Sequence, residues 1–160
     1  MSNSVSLRDV IDSDLPIFYE QQADPIANDM AAFPARDRDG FMAHWAKILR
    51  DETVTLKTIV FDGQVAGNIV CFVMSGEPQI GYWLGRNYWG QGLATQALSE
   101  FLRLVKTRPL YAHVAKHNIA SRRVLEKCGF EICGEEFVLS EAGELEVEDF
   151  ILKLNAIDHT

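Results

Sequence analysis

Tyr88-Trp89-Gly90-Gln91-Gly92-Leu93-Ala94-Thr95-Gln96-Ala97-Leu98 is the stretch on which the reading of this chain turns. It follows a short strand-like run, Gln79–Leu84, and opens the clearest helical pattern in the sequence, Leu93 to Lys106. Ala94, Ala97, Leu98, Phe101, Leu102 and Val105 fall on one face of that helix; Gln96, Ser99, Glu100, Arg103 and Lys106 fall on the other. A helix start presents N–H groups without intrahelical partners and a partial positive charge. Two glycines let the backbone come close to an anion. Gly90-Gln91-Gly92-Leu93-Ala94-Thr95 therefore has the chemistry of a phosphate cradle, with the Thr95 hydroxyl as a further donor.

Two other phosphate loops fit less well. A P-loop needs Gly-Lys-Ser/Thr, which the chain lacks. A dinucleotide fingerprint needs Gly or Ala where Thr95 stands, and an acidic residue at the end of the next strand, which instead ends in His113-Val114-Ala115. Read alone, Gly-x-Gly also suits a connection that binds nothing.

Outward from this turn the chain alternates between strand and helix signals. Val5 and Leu7 alternate with Ser6 and Arg8 in a first strand. Asp12-Ser13-Asp14 caps a helix to about Gln22, with Pro16 in its first turn. Asp24 to Asp39, with Pro25 and Pro34, reads as irregular. A second helix follows with Phe41, Trp45, Ile48 and Leu49 on one face. Thr53–Phe61 and Gln64–Met74 are strands joined by Asp62-Gly63, a strong hairpin signal. Ser75-Gly76-Glu77-Pro78 is a turn. Pro109 stops the long helix, and Leu110–Ala115 is a strand. Asn118 caps a short helix through Cys128, with Gly129 as its left-handed C-terminal residue. Phe130–Leu139 and Leu145–Leu154 form a last hairpin, and Asp158-His159-Thr160 read as frayed.

These elements predict one mixed α/β domain over residues 1–160. A hydrophobic fraction of 48% and a charged fraction of 24% are those of an ordinary globular domain. No apolar run reaches membrane-helix length, and Met-Ser-Asn-Ser-Val-Ser lacks the basic and apolar regions of a secretory signal, so a cytoplasmic location without membrane association is expected. A net charge of −8 argues against nucleic-acid binding and is compatible with cationic partners. Cys71, Cys128 and Cys133 form no Cys-x-x-Cys pair, and Cys71 and Cys128 read as small apolar fillers. His113 and His117 fall on a strand and a loop, not on one helix face, so no metal is expected.

Ile80-Gly81-Tyr82-Trp83-Leu84 followed by Tyr88 to Leu98 resembles the GNAT superfamily of N-acetyltransferases, most of all the branch that includes the ribosomal-protein N-terminal acetyltransferases. Asn118-Ile119-Ala120-Ser121-Arg122-Arg123-Val124-Leu125-Glu126-Lys127-Cys128-Gly129-Phe130 resembles the second hallmark of that branch, in the family's order and spacing. The resemblance implies a GNAT fold of α/β (α+β) class. Its twisted, mainly antiparallel mixed sheet has about seven strands and about four flanking helices, and it splays between Gln79–Leu84 and Leu110–Ala115.

The resemblance also implies acetyl-coenzyme A as cosubstrate and a small-molecule amine or a protein N-terminus as acceptor. Gly90 and the amides of Gln91, Gly92, Leu93, Ala94 and Thr95 would meet the pyrophosphate, and the backbone of Tyr82, Trp83 and Leu84 would pair with the pantetheine. Asn118 and Ser121 would lie near the sulfur, and Arg123 and Lys127 near the 3′-phosphate. Asn87 stands where many members carry Gln or Arg, with Arg86 beside it. A homodimer is left open as an expectation.

Acetyl transfer to an amine is aminolysis of a thioester. It needs a neutral amine, a polarised carbonyl and a proton for the departing thiolate. An N–H near Tyr82 would polarise the carbonyl, and Ser121 would donate the proton; Tyr82 and Ser121 are the catalytic candidates. Relatives often place a Glu before Ile-Gly-Tyr. This chain has Gln79 there, which cannot act as a base; Glu77, His113 and Glu136 are the other candidates. The acceptor pocket is expected from Gln22–His44 and Ser140–Leu145, where Asp24, Asp29, Glu141 and Glu144 would suit a cationic amine. Gln79 also keeps a second reading in view, a non-catalytic acyl-coenzyme A-binding module.

Overall fold

A computed structural model describes residues 5–31, 36–139 and 141–156. The strands are β1 (Val5–Arg8), β2 (Thr55–Phe61), β3 (Gln64–Met74), β4 (Glu77–Leu84), β5 (Leu110–Ala115), β6 (Glu131–Leu139) and β7 (Leu145–Leu154). The helices are α1 (Leu15–Gln22), α2 (Pro25–Ala31), α3 (Arg38–Leu49), α4 (Leu93–Leu104) and α5 (Ile119–Lys127), with 3-10 turns at Asp12–Asp14 and Arg86–Tyr88. One sheet runs in the order β1-β2-β3-β4-β5-β7-β6. Every neighbouring pair is antiparallel except β4 and β5, which are parallel and register only at Gln79 and Tyr111. Beyond that pair the two strands part. This is the splayed α/β sheet that the GNAT resemblance implies.

The hairpins follow their turn residues. Asp62 and Gly63 both take positive φ, 52° and 73°, the geometry that a two-residue turn needs to match strand twist. Ser75 and Gly76 repeat it at 54° and 79°. In β3 a bulge beside Ile59/Val60 adds Ala66 as an extra residue and brings Gly67 close to β4. A Cβ on Gly67 would fall on the Trp83 carbonyl oxygen, so only glycine allows this approach.

Two cores hold the helices to opposite faces. On one face Leu93, Ala97, Leu98 and Phe101 of α4 and Leu125 of α5 pack with Ile59, Ile69, Ile80, Leu110 and Leu152 of the sheet. On the other, Phe18 of α1 meets Phe41 and Trp45 of α3 over Leu56 and Val65, the Phe18 and Trp45 rings lying 5.0 Å apart. Each such side chain contributes roughly 1.5–3 kcal/mol on burial. Asp14 is the buried charge of this face. Its carboxylate accepts from Arg8 at 2.7 and 2.8 Å, from the Ile11 amide and from the Thr58 hydroxyl.

Several sequence expectations are corrected. Pro25–Ala31 is helical rather than irregular, which makes five α-helices among the described residues. Pro25 occupies the first helical position, where its missing N–H costs nothing, and Asp24 Oδ1 accepts from the Ile26 amide at 3.0 Å. Strand β4 starts at Glu77, so Pro78 lies inside it, opposite Val73. Proline is tolerated there because β5 pairs with β4 at Gln79 and not at Pro78. Strand β2 starts at Thr55, not Thr53, since Asp51 holds Thr53 in a turn. Helix α4 ends at Leu104, not Lys106: Val105 is extended and buried, and the Arg108 guanidinium donates to the carbonyls of Leu102, Val105 and Thr107. Helix α5 ends at Lys127, with Cys128 as its C-cap and Gly129 at φ 98°. The terminal residues 158–160 lie outside the described residues.

Candidate active site

The chain between β4 and α4 forms one wall of a groove of about 460 Å³. Gly92 is the N-cap of α4 at φ 75° and supplies no side chain to cap it. The first helical bond is from the Gln96 amide to the Gly92 carbonyl at 3.2 Å. The amides of Leu93, Ala94 and Thr95 therefore have no partner within the helix. Gly90 is also left-handed at 76°, and nothing lies within 4 Å of where a Cβ would stand on either glycine. An open, amide-rich concavity at a helix N-terminus fits a pyrophosphate.

The opposite walls come from α2 and α5. Ala27 and Met30 line the groove from α2; Asn118, Ala120, Ser121, Arg123, Val124 and Lys127 line it from α5 and its cap. Asn118 Oδ1 accepts from the Ser121 amide at 3.2 Å and so fixes the first turn of α5. The Ser121 hydroxyl then stands 2.7 Å from Tyr82 Oη. Burial pushes the Tyr82 phenol up to about 12, with the Ser121 hydrogen bond pulling the other way. Tyr82 keeps its proton at neutral pH.

Strand alternation orients the floor of the groove. Gly85 N–H donates to the Ala66 carbonyl at 2.8 Å, and the Trp83 carbonyl is turned toward Gly67. The antiparallel ladder then turns the backbone of Tyr82 and Leu84 away from β3, into the split. The Leu84 carbonyl already accepts from Trp89 Nε1 at 2.9 Å. The Trp83 side chain is turned to α1, where Nε1 donates to the Gln21 carbonyl at 2.9 Å.

The structure brings Tyr82, Trp83, Leu84, Gly90, Gly92, Leu93, Ala94, Thr95, Asn118, Ser121, Arg123 and Lys127 to one groove. Asn87 and Gln91 stand outside its lining, exposed, with Gln91 Nε2 donating to the Asn87 carbonyl at 3.3 Å. Ala27 and Met30 fall within Gln22–His44, the segment expected to build the acceptor pocket, but the sequence reading did not name them because it left Pro25–Ala31 without a helix; the Asp24-Pro25 start was the signal. Asp24 is engaged by Arg86 at 2.9 Å. Of the candidate bases, Glu77 is exposed, and His113 Nδ1 lies 3.3 Å from Glu136 Oε1. Gln79 is 4% exposed, and its Oε1 has no donor among the described residues. Burial pushes the Cys71 and Cys128 thiols up, which suits apolar fillers.

The acetyltransferase (GNAT) domain family matches residues 4–131, and the chain belongs to that family of acetyltransferases. Solved structures share its fold. The spermidine N-acetyltransferase of Vibrio cholerae, in complex with CoA and spermine, aligns with a TM-score of 0.79 at 14% identity, over 96% of each chain. AAC(6')-Ib with ribostamycin and coenzyme A aligns with 0.74 at 20% identity, over 95% of this chain and 93% of that one. The ribosomal L7/L12 α-N-protein acetyltransferase with coenzyme A aligns with 0.73 at 19%, over the same shares. The ribosomal-protein enzyme is thus one of several neighbours at similar distance. No curated protein matches the chain significantly by sequence. No described helix is long and apolar enough to cross a membrane.

Proposed function

We propose that this chain transfers an acetyl group from acetyl-coenzyme A to an amine by direct attack within a ternary complex. The observation that carries the proposal is the uncapped start of α4, which opens onto a groove leading to the Tyr82–Ser121 pair. The Gly90–Thr95 backbone would hold the pyrophosphate, and Arg123 and Lys127 would approach the 3′-phosphate. Tyr82 and Leu84 would offer backbone N–H groups to the pantetheine and the acyl carbonyl. When bound, the thioester supplies an electrophilic acyl carbon with a thiolate as its leaving group.

Ser121 and Tyr82 handle the proton in this scheme. The Ser121 hydroxyl donates toward the departing sulfur and is resupplied by the Tyr82 phenol 2.7 Å away, which regains its proton from solvent water while the acylated nitrogen releases its own proton to water. The groove holds the reactants together and supplies much of the rate by proximity. The acceptor is a small-molecule amine or a protein N-terminus. A narrower likeness to the ribosomal-protein branch rests on the two motifs Ile80–Leu98 and Asn118–Phe130.

Gln79, in place of a carboxylate, favours one alternative: a module that binds acyl-coenzyme A without turning it over. Thiol release from acetyl-coenzyme A, followed across a panel of amines, tests both. Amine-dependent release supports transfer. Calorimetric binding of coenzyme A with no release from any amine supports the module. Absence of binding overturns both readings.

A further inference from the structure

Helix α2 has only seven residues, too few to be stable without outside support. Of its described side chains only Ala27 is buried; Ile26 and Met30 are 51% and 37% exposed. Packing alone therefore holds it little, and its place at the groove depends on polar bonds at its two ends. At the first end the Asp24 carboxylate is shared. One oxygen accepts from the Ile26 amide at 3.0 Å and caps the helix, while the other accepts from Arg86 Nε at 2.9 Å. Toward the far end His117 Nε2 donates to the Asp29 carbonyl at 2.7 Å.

Both outside partners belong to segments that build the groove. Arg86 opens the 3-10 turn Arg86–Tyr88. There the Tyr88 amide donates to the Gly85 carbonyl, the Trp89 amide to the Arg86 carbonyl and Trp89 Nε1 to the Leu84 carbonyl. That bonded turn runs directly into Gly90. His117 directly precedes Asn118, the cap of α5. Arg86 does not line the groove, although it adjoins the cradle in sequence; its guanidinium is turned to Asp24. Helix α2 thus bridges the cradle and the α5 cap, and lines the groove between them with Ala27 and Met30.

We propose that Arg86 and Asp24 are a positioning pair for the transfer reaction: a pyrophosphate on Gly90–Thr95 fixes the adjoining turn, Arg86 passes that restraint to the cap of α2, and α2 sets the groove wall at which the acceptor amine is received. This rests on the acetyl-transfer reading above. Neither side chain touches the reacting atoms. Coupling is reciprocal, so the pair must also contribute to the affinity for coenzyme A. The Arg86 side chain is half-exposed, which limits the contribution to about two- to fivefold.

Hydrogen exchange of the α2 amides and calorimetric affinity, both with coenzyme A, test this in wild type, Arg86→Gln, Asp24→Asn and the double variant. Asn is also a good cap, so Asp24→Asn leaves the start of α2 capped. The wild type should gain protection over Pro25–Ala31 on binding coenzyme A, and each single variant should lose most of that gain. Each should weaken coenzyme A binding by about two- to fivefold, and the double variant no further. The sign at Asp24 separates coupling from bare charge, because removing a carboxylate near the cradle strengthens anion binding if only its field acts. Tighter binding by Asp24→Asn, losses that add in the double variant, or protection that survives in both single variants overturns the proposal. At saturating acetyl-coenzyme A the single variants should raise the KM of an amine that is turned over and spare kcat; an unchanged KM overturns the role of α2 in receiving it. Coenzyme A binding that leaves α2 exchange unchanged in the wild type overturns the pair and leaves acetyl transfer standing. Absence of coenzyme A binding overturns transfer and the pair together.

Discussion

Tyr82 Oη and Ser121 Oγ stand 2.7 Å apart, one on β4 and the other in the first turn of α5, across the split of the sheet. Both side chains line the groove, and burial holds the phenol protonated.

The pair should act as a unit. Tyr82→Phe and Ser121→Ala are each expected to lower kcat by roughly 10²-fold, with little change in the KM for acetyl-coenzyme A. The double variant should be no slower than the slower single one. Losses that multiply in steady-state assays would show that the two hydroxyls act separately. With its folded pKa raised to about 12, Tyr82 remains a donor throughout the neutral range, so a neutral-range limb of the pH–rate profile should survive in Tyr82→Phe.

The cradle is tested at Gly92. Space exists for a side chain, since nothing lies within 4 Å of the Cβ position, but that space is where the pyrophosphate would sit. At φ 75° a β-branched residue is also strained, by about 1–2 kcal/mol. Gly92→Val should therefore stay folded in a thermal melt, at a lower midpoint, and lose coenzyme A affinity in calorimetry. A folded variant with unchanged affinity would move the cradle elsewhere.

Asn118 has two separable roles. Its Oδ1 caps α5, and Asn118→Ala should cost about 1 kcal/mol of stability. Asn118→Asp keeps a capping oxygen, so its stability in urea should stay near wild type. Because the aspartate cannot donate, its coenzyme A affinity should still fall if the amide contacts the ligand. Undiminished affinity would leave Asn118 as a cap only.

Asp14 links the first strand to α1. Burial alone would raise its pKa, but hydrogen bonds from Arg8, the Ile11 amide and Thr58 outweigh burial and hold it below the ordinary value. A folded pKa below the unfolded one gives stability that is complete above the unfolded value, near 3.8, and is lost as pH falls through the folded one. Asp14→Ala should cost about 2–3 kcal/mol at neutral pH in denaturant melts. The gap to wild type should shrink in acid; a gap independent of pH would exclude the ion pair as its cause.

Much of the fold was legible because its signals are local. Asp62-Gly63 dictates a hairpin through backbone conformation alone. The apolar stripe of α4 and the cap at Asn118 depend on residues within one or two turns. Helix α2 was missed because two prolines were weighed as breakers, while proline at a first helical position does the opposite.

By itself, the sequence determined every element but α2, the glycine turn, the Asn118–Phe130 hallmark and the family these define. Those depend on periodicity, capping and backbone freedom, all short-range properties. Only the tertiary structure decided which side chains meet. Tyr82 reaches Ser121 across 39 residues because β4 and β5 part after Gln79 and let α5 approach the split. His113, Glu136 and Asp149 meet through the registers of three strands, which no local pattern encodes, since register is settled by the packing of whole faces.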